Sequence, residues 1–229
     1  PQKWKWNIPE EYHYDKWIAE RTNALIGEYK NKDENFFLWA SFLDPHPPYL
    51  APEPWDTMYD PEKITVPRIT EGEHEKNPPH FGMTQQETPD FSRYEEKDGN
   101  WMHGFHSHLH DRKELAKDIA VYYGMISLMD KYIGKILDRL DELGLAENTL
   151  VVFTCDHGHF YGHHGLTAKG AFHYEDMIKV PFIVRFPGKV PSAKMSGSLQ
   201  SLVDLAPTFL DVCEIEIPRT MTGISQKDV

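Results

Sequence analysis

The stretch from Thr154 to Gly170, Thr-Cys-Asp-His-Gly-His-Phe-Tyr-Gly-His-His-Gly-Leu-Thr-Ala-Lys-Gly, constrains this chain more than any other. It follows a four-residue apolar run, Leu150 to Phe153, in which β-branched Val151 and Val152 favour a buried strand over a helix. Asp156 and His157 fall where that strand ends, at the edge where open α/β sheets place their ligands. A carboxylate and an imidazole side by side, with Gly158 letting the backbone bend away behind them, are able to converge on one cation. Lys169 arrives after a loop carrying Gly162, Gly165 and Gly170, within reach of an anion held by such a cation.

Upstream, apolar residues at three- and four-residue steps (Tyr14, Trp17, Ile18, Leu25, Ile26, Tyr29) predict an amphipathic helix over about 10–29. The uninterrupted run 36–43, Phe-Phe-Leu-Trp-Ala-Ser-Phe-Leu, reads as a second buried strand, parallel to 150–155. Asp44-Pro-His-Pro-Pro-Tyr49 follows, and its prolines make a stiff turn from which His46 projects; taken alone, such a histidine is usually solvated. Residues 50–110 are proline-rich and acidic and read as part of the mouth of a site between two chemistry-bearing segments. Near the end of this stretch, His103, His106, His108 and His110 recur at steps that fit no ordered zinc pattern and read as a solvated loop. A second helix is predicted over 111–143, with a stripe from Leu115 through Ile119, Tyr122, Ile126, Met129, Ile133, Ile136 and Leu137 to Leu140, Asp111 as its cap and Gly144 as its stop. Val180 to Phe186 reads as a further strand, and Pro207 suits the first turn of a last helix within 201–213.

With 229 residues and 40% hydrophobic content the chain is large enough for a domain with a real core. Its formal net charge of −12 argues against nucleic acid and anionic membrane as partners. No apolar run approaches a membrane span. Cys155 and Cys213 make no disulfide framework and read as buried free thiols. The chain opens on Pro1 and stops soon after Thr222-Gly-Ile-Ser, which reads as an internal piece of a longer protein.

Asp156-His-Gly, Gly162-His-His-Gly-Leu, Lys169-Gly, Tyr174-Glu and Val180-Pro-Phe-Ile-Val-Arg-Phe-Pro-Gly188, in that order, resemble the metal and anion segment of the sulfatases, in the alkaline-phosphatase-like superfamily that also holds phosphonate monoester hydrolases. The resemblance implies an α/β fold with a mainly parallel central sheet and helices on both faces, incomplete in this chain. Residues 1–217 would be the later part of the catalytic domain, and 218–229 the start of the connection to a smaller subdomain. It implies Asp156 and His157 as metal ligands, Lys169 as a cation on the transferred group, and His46, in a His-Pro-Pro-type turn, as the contact to the ester oxygen. His164, in the Gly-x-His-Gly-Leu pattern, would orient the loop, His159 would stand behind the site or in solvent, and Asp130 would be structural. The metal would be calcium, with manganese second.

The activity implied is hydrolysis of a sulfate ester, of a glycan or an aryl alcohol. The rivals are a phosphonate or phosphate ester hydrolase and a piece without catalysis, such as a carbohydrate-binding or scaffolding element. The sulfatase nucleophile, a formylglycine made from Cys or Ser in Cys/Ser-x-Pro-x-Arg, has no such pentapeptide here. It would come from the missing N-terminal half, the expected partner of this chain, without which the chain is expected to be inactive. An exported (periplasmic or extracellular) or lysosomal location would fit the family.

Overall fold

The computed structural model describes residues 4–94 and 111–228. The chain enters through β1 (Trp4–Lys5), makes a 3-10 turn at Glu10–Tyr12 and runs into α1 (Tyr14–Lys32). His13 caps α1, its Nδ1 accepting the Asp15 N–H at 3.3 Å, and Asp33 ends it in the left-handed region at φ 54°. β2 (Leu50–Ala51) pairs with β1 in parallel. After α2 (Pro79–Met83) comes the longest element, α3 (Arg112–Glu142). The Asp111 carboxylate accepts the Lys113 N–H at 2.7 Å to start it, and Gly144, at φ 66°, supplies the stop.

The core forms where α3 crosses α1 and the turn at Trp55–Thr57. Leu128 and Tyr132 pack on Ala19, Leu140 on Ile26 and Ala146, and Val121 and Met125 on Ala51. Each such large apolar side chain removed from water contributes about 1.5–3 kcal/mol. Leu115, Ile119 and Leu140 of the expected stripe are buried, but over the middle of α3 the buried face is rotated: it runs through Gly124, Met125, Leu128 and Tyr132, leaving Ile126, Met129 and Ile133 half-buried. Gly124 explains the rotation. A Cβ there would stand 2.0 Å from the Trp55 carbonyl oxygen, so the Trp55 turn rests directly on the helix backbone at the one residue that admits it. On α1 the same competition leaves Trp17 exposed and buries Asp15, Ala19, Thr22 and Ile26. Glu10 ties the three pieces together, accepting from Lys131 Nζ at 2.6 Å, Tyr132 OH at 2.5 Å and Trp55 Nε1 at 2.8 Å. Burial pushes its carboxyl up, but those three donors overcome that and hold it down to about 2.

Residues 36–43 depart from expectation. Among the described residues they join no ladder, and no crossover to the next strand is made. Phe36, Leu38 and Phe42 pack onto the α1–α3 core, while Phe37 and Trp39, each 71% exposed, and Leu43 face out. An unbroken apolar run announces cover on both faces; the described chain supplies it on one. β3 (Val151–Thr154) does form, and pairs antiparallel with β6 (Phe182–Arg185), Val151 opposite Arg185 and Thr154 opposite Phe182. Between them lie the hairpin β4 (Phe160–Tyr161) and β5 (Thr167–Ala168), and α4 (Glu175–Ile178). The class is α/β, with the described ladders two strands wide. α5 (Leu205–Val212) closes the described chain, Pro207 in its first turn, and residues 225–227 fold back on it through Asp211 and Thr208. Both cysteines are free; Cys155 is half-buried and Cys213 is exposed, unlike the expectation for the latter, because α5 ends there and turns it outward. Among the described residues no helix is long and apolar enough to cross a membrane.

Candidate functional site

Asp156 and His157 leave β3 two residues past its end, where the Asp156 carboxylate stands 82% exposed. The His157 N–H donates to Asp156 Oδ1 at 2.9 Å, which folds the carboxylate back over the imidazole and sets Oδ2 3.3 Å from His157 Nε2. His157 Nδ1 lies 2.8 Å from the Gly158 carbonyl oxygen. A carbonyl only accepts, so the ring proton sits on Nδ1 and Nε2 presents its lone pair outward. Gly158 permits this turn: its N–H donates to Met177 O at 2.8 Å, and a Cβ would lie 1.8 Å from the Asp176 carbonyl oxygen.

Lys169 follows Ala168, which holds φ 59° at the end of β5. Its ammonium stands 3.2 Å from His157 Nε2 and 3.4 Å from His46 Nε2. His46 reaches this point from the proline turn, whose His46 N–H donates to Leu43 O at 3.0 Å. His46 Nδ1 lies 2.7 Å from the Pro47 carbonyl oxygen, so the logic used for His157 leaves its Nε2 lone pair facing the lysine too. The structure thus brings together all four predicted residues, Asp156, His157, Lys169 and His46, from positions as far as 123 residues apart. Asp156, His157 and Lys169 line a cleft of about 570 Å³ together with Val180, Gln200 and Ser201.

Behind this rim the polar groups are bonded to each other. His164, in the left-handed region at φ 57°, has Nδ1 2.9 Å from Glu73 Oε2 and Nε2 3.1 Å from Asp176 Oδ2, with its ring stacked on Tyr174 at 3.7 Å. His74 Nε2 donates to the His164 carbonyl at 2.9 Å; its Nδ1 accepts from Tyr174 OH at 3.0 Å, and that oxygen accepts from Asn77 Nδ2 at 2.7 Å. Gln85 Nε2 donates to Gly165 O at 3.2 Å. The described part of the acidic loop therefore holds the turn that leads to Lys169. Glu73, His74, Asn77 and Asp176 were not singled out by sequence: no pattern links residues 91 or more positions apart, as Glu73 and His164 are. On the other flank Tyr49 OH meets His159 Nε2 at 2.7 Å, tying the His46 turn to the His157 turn. Burial, with His157, His46 and Lys169 adding to it, holds His159 down to about 4. Asp130 is exposed on α3. His103, His106, His108 and His110 lie outside the described residues.

Asp156 and His157 fit a metal ion as two of its ligands. The Gly158 carbonyl takes the proton side of the imidazole and aims Nε2 at the space the carboxylate also faces, the outer-shell arrangement that metal-ligating histidines use. Two ligands do not complete any common coordination shell.

Residues 1–215 match the family described as Sulfatase. An arylsulfatase of Clostridium perfringens is 31% identical over 227 residues, covering 98% of this chain and 43% of that protein. An N-acetylglucosamine-6-O-sulfatase of Bacteroides thetaiotaomicron is 37% identical over 108 residues, 47% of this chain and 19% of its own length. Among solved structures, the phosphonate monoester hydrolase of Silicibacter pomeroyi superposes with a TM-score of 0.76 at 27% identity, over 96% of this chain and 42% of that one. The chain thus spans less than half the length of these relatives. With the match running through both the His46 turn and the Asp156–Lys169 segment, the chain belongs to the sulfatase family and has its alkaline-phosphatase-like α/β fold.

Proposed function

We propose that this chain is the portion of a metal-dependent sulfuric ester hydrolase that supplies two metal ligands and the groups that meet the sulfate. The observation that carries the reading is the Lys169 ammonium poised between the outward Nε2 atoms of His46 and His157. A sulfate ester carries dispersed negative charge and a poor alkoxide leaving group, so it needs fixed cations at its oxygens and a proton for the bridging oxygen. Lys169 provides the first, and its hold on His46 Nε2 passes to the substrate when the sulfate enters. His46, with Nδ1 bonded to Pro47 O, turns Nε2 to the bridging oxygen and, when protonated there, hands over the proton. Asp156 and His157 hold the divalent ion, which when bound neutralises charge on the transferred group. Calcium is the first choice and manganese the second. The nucleophile, a formylglycine by family analogy, is assigned to sequence outside these 229 residues.

The similarity to a phosphonate monoester hydrolase favours a second reading, in which the same residues act on a phosphonate or phosphate ester. Initial rates of the full-length protein on one aryl sulfate and the matching aryl phosphonate separate the two. A higher kcat/KM for the sulfate is expected; a reversed ratio establishes the second reading, and no turnover of either removes both. The arylsulfatase and the N-acetylglucosamine-6-O-sulfatase support aryl and glycan sulfates as the substrates to try first.

A further inference from the structure

A second group of potential ligands lies away from the open site, under the start of α1. His13, Asp15 and Asp44 are 0%, 0% and 4% exposed. One ligand atom from each lies within 4.8 Å of the others. His13 Nδ1 stands 3.9 Å from Asp15 Oδ2, and His13 Nε2 stands 4.0 Å from Asp44 Oδ2. Those separations are too long for hydrogen bonds. The ring gives an ion one nitrogen, so one of the two is a co-ligand separation, and its length suits that: two atoms each about 2.0–2.2 Å from one ion lie roughly 3.4–4.4 Å apart.

The satisfaction of the polar atoms points the same way. Both Asp15 carboxylate oxygens, Asp44 Oδ2 and His13 Nε2 are buried without a hydrogen-bond partner. A protein interior does not leave four such atoms facing one another without something between them, since each orphaned polar group costs about 1–3 kcal/mol and a charged one more. Asp44 Oδ1, in contrast, takes the Tyr14 hydroxyl hydrogen bond. That contact fixes the carboxylate and leaves Oδ2 turned inward, as an outer-shell partner does for a ligand. The Trp6 ring, centred 5.0 Å from that of His13, closes the outer side.

We propose that His13, Asp15 and Asp44 form a buried site for a divalent transition-metal ion, zinc or manganese in character, separate from the Asp156–His157 site. One imidazole and two carboxylates in an enclosed space match a low-coordinate N,O ion. They fall short of the six to eight oxygens that calcium takes. Ligation displaces the long 3.3 Å cap bond from the Asp15 N–H, because the ring nitrogen that does not hold the ion carries the ring proton. The site would be structural. It joins the start of α1 to Asp44, two residues before His46, and so pins the turn that presents His46 to Lys169.

The test uses the full-length protein carrying Asp156→Ala and His157→Ala, loaded with zinc and then dialysed against metal-free buffer. About one zinc per chain is expected to remain by elemental analysis, and to be lost when Asp15→Asn and Asp44→Asn are added. Crystals of the double variant should show an anomalous zinc peak among His13, Asp15 and Asp44. That map decides the matter even if the variant with four substitutions does not fold. No retained zinc, or zinc retained without a peak at those three residues, overturns the proposal.

Discussion

The rim of the cleft and the shelf behind it treat their polar atoms in opposite ways. On the rim, Asp156 is 82% exposed, and the Nε2 atoms of His157 and His46 face the Lys169 ammonium, that of His157 with Asp156 Oδ2 also at 3.3 Å. On the shelf, Glu73, His74, Asn77, His164, Tyr174 and Asp176 satisfy one another in a continuous run of bonds between 2.7 and 3.1 Å. The difference separates two jobs. A group that must exchange its partner for a ligand is left with weak or replaceable contacts, whereas a group that must hold a loop in a left-handed conformation, as at His164, needs every partner it can find. Rim substitutions should therefore alter rates and spare stability, and shelf substitutions should do the reverse first.

The largest expected effect is at the rim. Lys169→Ala in the full-length protein should lower kcat/KM on an aryl sulfate by about 10²–10³, the range for removal of one fixed donor from a developing oxyanion. Its melting temperature should stay near that of the parent. A rate loss below tenfold, or an equal loss of stability, would break the division between rim and shelf. Next comes Glu10, whose carboxylate accepts three side-chain hydrogen bonds. Its folded pKa lies near 2 and below its ordinary value of 4.5, so the stability it confers is fully present above about pH 4.5 and is lost as pH falls through about 2. Glu10→Gln should cost roughly 2–3 kcal/mol at pH 7 and flatten the dependence between those limits, read from urea unfolding at several pH values. Asp156→Asn, at the exposed extreme, should move stability by less than about 0.5 kcal/mol. A comparable loss at both would erase the contrast.

How far sequence reaches follows the same line. The caps of α3, the strand at Val151–Thr154 and the four rim residues were legible because each is set by neighbours in the chain or by a recognisable family motif. The shelf was not, since Glu73 and Asp176 meet at His164 only through tertiary packing. The face of α3 was legible at Leu115, Ile119 and Leu140 and rotated between them, because Gly124, which periodicity scores as a weakness, is what lets the Trp55 turn seat. The run 36–43 reads as a doubly covered strand, yet the described chain covers it on one side through Phe36, Leu38 and Phe42. Apolar pattern reports that a surface is to be buried and says nothing of which segment buries it.

The shelf itself sharpens the contrast at smaller magnitude. His164→Ala removes two bonds to carboxylates and the stacked contact with Tyr174, so a loss of about 2 kcal/mol is expected by denaturant unfolding. Activity should fall through the displaced Lys169 loop, with KM rising more than kcat falls, since Lys169 itself remains. A pure kcat effect would place His164 at the reacting atoms and off the shelf.

The smallest effect tests whether the two turns that carry His46 and His157 are coupled. Tyr49 lies three residues after His46 and His159 two after His157, and the 2.7 Å bond between them is the direct polar link from one turn to the other. Tyr49→Phe keeps the ring against Tyr122 and Tyr161 and removes only the hydroxyl, so about 1 kcal/mol of stability should go. His159→Leu removes the other partner. If the bond is what aligns the turns, the two changes together should cost about 1 kcal/mol less than their sum, in stability and in the barrier for ester hydrolysis alike. Additive losses in both measurements would mean that each turn holds its histidine unaided, and that the alignment of His46 with Lys169 comes from Asp44 and the start of α1 instead.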